Sequence, residues 1–114
     1  MIIAIITMKA IPAKRGELLQ TLRSMTEQIR TEKGCESCYF YQDVDNENIV
    51  IITEDWATQD DLDNHLRSDM FGALIGAKSL LVEPADIQIK AVSYTAGMED
   101  VKKARRKKRI SNIQ

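Results

Sequence analysis

Apolar and polar positions divide the chain into four strand-like and three helical stretches. Residues 2–8 (IIAIITM) are β-branched and apolar with no polar alternation. That pattern predicts a strand buried on both faces, ended by Pro12. Over 13–32, Leu18, Leu22, Met25 and Ile29 recur at steps of four, three and four, with Leu19 widening the stripe. The spacing predicts an amphipathic helix, with Gly34 as its stop. Residues 35–43 (CESCYFYQD) read as a strand, 43–48 (DVDNEN) as a polar turn, and 49–56 (IVIITEDW) as the returning strand of a hairpin. Thr58 is placed to cap a helix with Asp60 and Asp61 in its first turn, running to about Arg67. A second apolar helical piece spans Phe71 to Leu81, loosened by Gly72 and Gly76 and broken by Pro84. The alternating stretch 86–94 (DIQIKAVSY) is the last strand.

The order β-α-β-β-α-β predicts an α+β, ferredoxin-like fold: one antiparallel sheet of four strands with helices on one face. Tyr39, Tyr41, Ile51 and Thr53 share one sheet face, and Phe40, Ile52 and Trp56 share the other. A sheet apolar on both sides needs a second cover. A second copy supplies it, so a homodimer packed through its sheet faces is expected.

Charge divides the chain in two. The whole carries 16 basic and 17 acidic residues, a net charge of −1. Seven of the basic residues fall within positions 102–109 (KKARRKKR), whereas residues 1–97 hold 9 basic and 15 acidic residues, a net of −6. The expected organisation is a domain over 1–97 and a basic tail over 98–114. The tail has too few apolar residues to insert into a membrane. With no aromatic side chain to stack on bases, it is not expected to bind single-stranded nucleic acid, though a polybasic run leaves non-specific binding open. A solvated tail, or one lying on the acidic body of a partner subunit, is the simpler expectation. No run approaches the roughly 20 apolar residues of a membrane span. The apolar start lacks the flanks of a signal peptide, so the cytoplasm is the expected location.

Cys35 and Cys38 form a CxxC. On a regular strand, residues three apart point to opposite faces, and the chain has no second cysteine pair and a single histidine. A redox centre or zinc site is therefore not expected.

The remaining candidates follow one another in order: Gly34-Cys35, Tyr41-Gln42-Asp43, Glu54-Asp55-Trp56, Leu62-Asp63-Asn64-His65-Leu66 and Ser68-Asp69-Met70-Phe71. On the predicted pattern, this set resembles the antibiotic biosynthesis monooxygenase family, in particular its small quinol-monooxygenase-like members. The resemblance covers about residues 1–95. It implies a dimeric α/β barrel that oxidises small phenolic or quinol substrates with O₂ and uses no metal, flavin or haem. It also implies His65 as base or orienting donor, Trp56 and Phe71 as pocket walls, and Cys38, Phe40 and Thr7 as further pocket positions. Cys38 stands where the family often has Tyr, Met70 where it often has His, and Thr7 where some members have Asn. Haem-degrading relatives of this fold need a ligating histidine on the second helix, and Phe71 to Ile75 offers none.

The chemistry suits the residues. An electron-rich aromatic reacts slowly with O₂ until it loses a proton, and His is the side chain whose ordinary pKa suits that proton near neutral pH. His65, three residues after Leu62 and one before Leu66, belongs on or beside the apolar helix face. Asp61, one turn earlier, is the expected partner that orients it.

Overall fold

In the computed structural model, strand β1 (Ile2–Lys9) leads through a 3₁₀ turn at Pro12–Lys14 into helix α1 (Arg15–Ile29). Strands β2 (Cys35–Gln42) and β3 (Ile49–Trp56) follow, then helices α2 (Gln59–Leu66) and α3 (Asp69–Gly76), strand β4 (Asp86–Ala91) and helix α4 (Met98–Ile113). The structure describes residues 1–113, with side chains through Lys107. The strands form one sheet in the order β2-β3-β1-β4, and every neighbouring pair is antiparallel. Because β3 lies between β1 and β2, this is the split βαβ of the ferredoxin-like fold that the block order predicts.

Strand parity sorts the side chains. On β3, Val50, Ile52, Glu54 and Trp56 are buried toward the helices, while Ile49, Ile51, Thr53 and Asp55 are half-buried on the outer face. On β1, Ala4, Ile6 and Met8 are buried inward, and Ile3, Ile5 and Thr7 are half-buried outward. The uniformly apolar β1 is therefore closed on one face by this chain alone.

Helix α1 lays Leu18, Leu22, Thr26 and Ile29 against the sheet. Met25 falls at the margin, and the Thr26 hydroxyl is satisfied by donating to the Arg23 carbonyl (3.2 Å). The helix ends before the glycine expected to stop it. Arg30 is its C-cap, and Thr31 and Glu32 close tight turns onto the Gln28 and Ile29 carbonyls. Gly34 (φ 83°) shapes the next turn instead, directing the chain into β2. A Cβ there would collide with the Asp61 carboxylate.

The sequence expectation for the cysteines also changes. A bulge between Cys35 and Ser37 inserts an extra residue into β2, so Cys35 pairs with Trp56 and Cys38 with Glu54. Both cysteines then share the inward face. The apolar segment expected to run as one helix from Phe71 to Leu81 divides into α3 and a 3₁₀ turn at Lys78–Leu80, and β4 stops at Ala91, three residues short of expectation. Among the described residues, no helix is long and apolar enough to cross a membrane.

Candidate active site

The inward ends of β3, α2, α3 and the α1–β2 turn converge on His65. Thr58 caps α2 by accepting the Asp61 backbone N–H (3.1 Å), which fixes the helix phase so that Leu62 and His65 face the sheet. Ser68 then joins two helices. Its hydroxyl donates to the His65 carbonyl (2.6 Å) and accepts the Phe71 N–H (3.2 Å), capping α3. That cap sets Phe71 edge-on to the imidazole, with ring centroids 5.3 Å apart. On its other side, the imidazole stacks on Trp56 at 4.6 Å and 28°.

Both ring nitrogens face carboxylates. Nδ1 lies 2.9 Å from Glu32 Oε2, and Nε2 lies 3.3 Å from Glu54 Oε2. The first is a hydrogen bond; the second is close in distance but out of line for one. Glu54 is held in place by Trp56, whose indole N–H donates to Oε1 (3.1 Å). His65, Glu54 and Trp56 are each at most 1% exposed, and Phe71 is 4% exposed. The Glu32 side chain, 27% exposed, is the member that reaches solvent.

Burial alone would lower the His65 pKa. The Glu54 carboxylate, followed by that of Glu32, outweighs burial and raises it above the ordinary 6.5. The two carboxylates therefore favour the protonated ring over the neutral one. Asp61, the partner expected from helix spacing, faces away: it accepts from the Thr58 hydroxyl (2.9 Å) and lies against Gly34.

The other candidates separate by strand parity. Cys38 is fully buried on the inward face, opposite Glu54. Phe40 lies on the same face, opposite Ile52 and packed against the core. Thr7 is a correction: odd positions of β1 face outward, so its side chain is on the far side of the sheet from His65. The Cys38 thiol is pushed up to about 12 and the Cys35 thiol to about 11, in both cases by burial and then by the charge of Glu54, so both remain protonated and poorly nucleophilic at neutral pH. Among the described residues, no group of three His, Cys, Asp or Glu side chains is arranged to hold a metal ion.

Two members of the cluster, Glu54 and Glu32, had no role assigned in the sequence reading. Glu54 had a signal: it occupies the same strand phase as Ile52 and Trp56, so a buried carboxylate was predictable. Glu32 had none, since it meets His65 across 33 residues through the turn at Gly34.

A four-stranded ferredoxin-like sheet with a buried histidine beneath its second helix defines the class. The family model for antibiotic biosynthesis monooxygenases matches residues 1–77, and the chain belongs to that family. An uncharacterized protein of Synechocystis sp. is 31% identical over 88 residues, which make up 76% of this chain and 60% of that protein. The chain therefore spans less than two thirds of that relative's length. A conserved protein from Methanosarcina mazei is 28% identical with a TM-score of 0.73, covering 78% of this chain and 89% of its own. A Deinococcus radiodurans protein assigned to the antibiotic biosynthesis monooxygenases shares the fold at a TM-score of 0.80 and 23% identity, covering 86% of this chain and 98% of its own.

Proposed function

We propose that the protein is a cytoplasmic, cofactor-independent monooxygenase that oxidises a small electron-rich aromatic, such as a quinol, with O₂. The observation that carries this reading is the imidazole of His65, buried between the Glu32 and Glu54 carboxylates and flanked by Trp56 and Phe71. Of the two roles open to His65, base or orienting donor, carboxylates at both nitrogens that favour its protonated form speak for the donor.

In this reading, Glu54 accepts the substrate proton while the imidazolium holds the carboxylate in place. Glu32 connects the pair to solvent. The substrate anion passes an electron to O₂, and the radical pair combines to a carbon-bound peroxide anion, which takes the proton back from Glu54 to become the hydroperoxide. The O–O bond then breaks, the outer oxygen leaving as water with the hydrogen of the same carbon, and the inner oxygen stays in the product as a carbonyl. Trp56, Phe71, Phe40 and Cys38 supply an apolar surround that keeps water from the radical pair. Entry requires α3 to move, since its Phe71 closes the cluster. A second copy covers the outer sheet face.

The test is O₂ consumption with a panel of hydroquinones, with ¹⁸O₂ label followed into the product. His65→Ala is expected to lower the rate by about 10²-fold or more. No uptake with any quinol, or equal uptake by the variant, contradicts the reading. A second reading, a non-enzymatic ligand-binding domain, draws support from the closure of the cluster, whose central side chains are almost fully buried. Thermal stabilisation by an aromatic ligand without turnover identifies that case.

A further inference from the structure

The basic tail is a continuous helix, and that changes what it can bind. Helix α4 spans Met98–Ile113, about 24 Å at 1.5 Å per residue. Its described side chains, Met98 to Lys107, are all exposed. The molecule measures 60 Å in its longest dimension against 35 and 20 Å in the others.

At about 100° per residue, positions 102, 103, 105, 106, 107, 108 and 109 reach every sector of the helix, leaving no gap wider than about 100°. A flat acidic protein surface would use one face of such a helix and leave the rest of its charge in solvent. A groove with phosphates on both walls can use nearly all of it. The helix also requires an anion to be firm. Like charges recur at the four-residue spacing (102/106, 103/107, 105/109), each pair costing about 0.2–0.5 kcal/mol. Against them, Lys102 reaches Glu99 (3.4 Å), and Glu99 and Asp100 sit in the first turn, where the macrodipole favours acids. A helix of this length is marginal in isolation.

The acidic body gives direction to the argument. Residues 1–97 carry −6, which repels a polyanion near the body. That field decays over about 8 Å at physiological salt, so it is strongly screened along a helix about 24 Å long. We infer that α4 binds nucleic-acid duplexes through their phosphates, without sequence preference, and is firmed into a helix as it does so. The absence of tail aromatics, which argues against single strands, is no obstacle to backbone binding.

The experiment uses the full chain and a fluorescent DNA duplex of about 20 base pairs and arbitrary sequence, titrated at several salt concentrations. The expected slope of log affinity against log salt is about −4.5 to −6, for five to seven phosphates at about 0.9 each. The variant Lys102→Gln, Lys103→Gln, Arg105→Gln, Arg106→Gln keeps good helix formers. It should lose at least tenfold in affinity at low salt, with the slope falling to about −3. Circular dichroism should show helix gained when duplex is added to the parent chain but not to the variant. The inference is overturned by absence of duplex binding, by equal binding of the variant, or by salt-sensitive self-association that the variant loses while neither chain binds duplex. The last result would assign α4 to the acidic body of a second copy. Preference for anionic vesicles over duplex would overturn it equally.

Discussion

An imidazole with a carboxylate at each nitrogen is a different reagent from a lone histidine. Each nitrogen of His65 faces a carboxylate, Nδ1 in a hydrogen bond to Glu32 and Nε2 at ion-pair distance from Glu54. The pair also ties folding to pH. The folded pKa lies above the unfolded 6.5. Below about 6.5, the ring is protonated in both states, and the ion pair contributes its full stability. That contribution is lost as pH rises through the folded pKa. Urea midpoints measured upward from pH 6 should therefore fall more steeply for the parent chain than for His65→Gln. Parallel curves would contradict a raised His65 pKa. His65→Ala leaves Glu54 buried without a counter-charge, a loss of about 3–5 kcal/mol, so the oxygenase assay must use variant protein shown to be folded.

At the scale of elements, the cluster depends on the turns that feed it. Gly34 is the only described residue with a positive φ, its turn passing beside Asp61 while its carbonyl accepts the Ala57 N–H (2.8 Å). This contact ties the α1–β2 turn, which carries Glu32, to the start of α2. Gly34→Ala should cost about 1–3 kcal/mol by chemical denaturation and displace Glu32 from His65. A change within a few tenths of a kcal/mol would show that the turn is not constrained. The elements themselves were largely legible in the sequence. β-branched runs and the i, i+3/i+4 stripe located the strands and α1, and Thr58 announced α2. Strict alternation failed where a bulge, which has no composition signal, turned Cys35 and Cys38 to one face. Thr7 was misplaced because an all-apolar strand does not disclose which parity faces inward. Glu32 could not be anticipated because its contact exists only once α1 and α2 meet the same sheet edge.

For the molecule as a whole, the outer sheet face is the unfinished surface. Tyr39 and Tyr41 are 51% and 54% exposed there, beside the half-buried Ile3, Ile5 and Ile51. Covering this patch with a second copy is the proposed assembly. Sedimentation should give twice the 12.9 kDa chain mass, and Ile5→Asp should give the monomer. A monomeric parent chain at micromolar concentration would remove the dimer from the account. The charge division operates at the same scale: an acidic body houses the cluster, and a cationic helix extends beyond it.

The central claim is that Glu54 and Glu32 hold His65 as an imidazolium in the closed cluster. Nitrogen-detected NMR of the single histidine, followed across pH, tests it directly. The account predicts a midpoint above 6.5, with protons on both Nδ1 and Nε2 below it, and a downward shift of that midpoint in Glu54→Gln. A midpoint at or below 6.5, or one unmoved by Glu54→Gln, would contradict it.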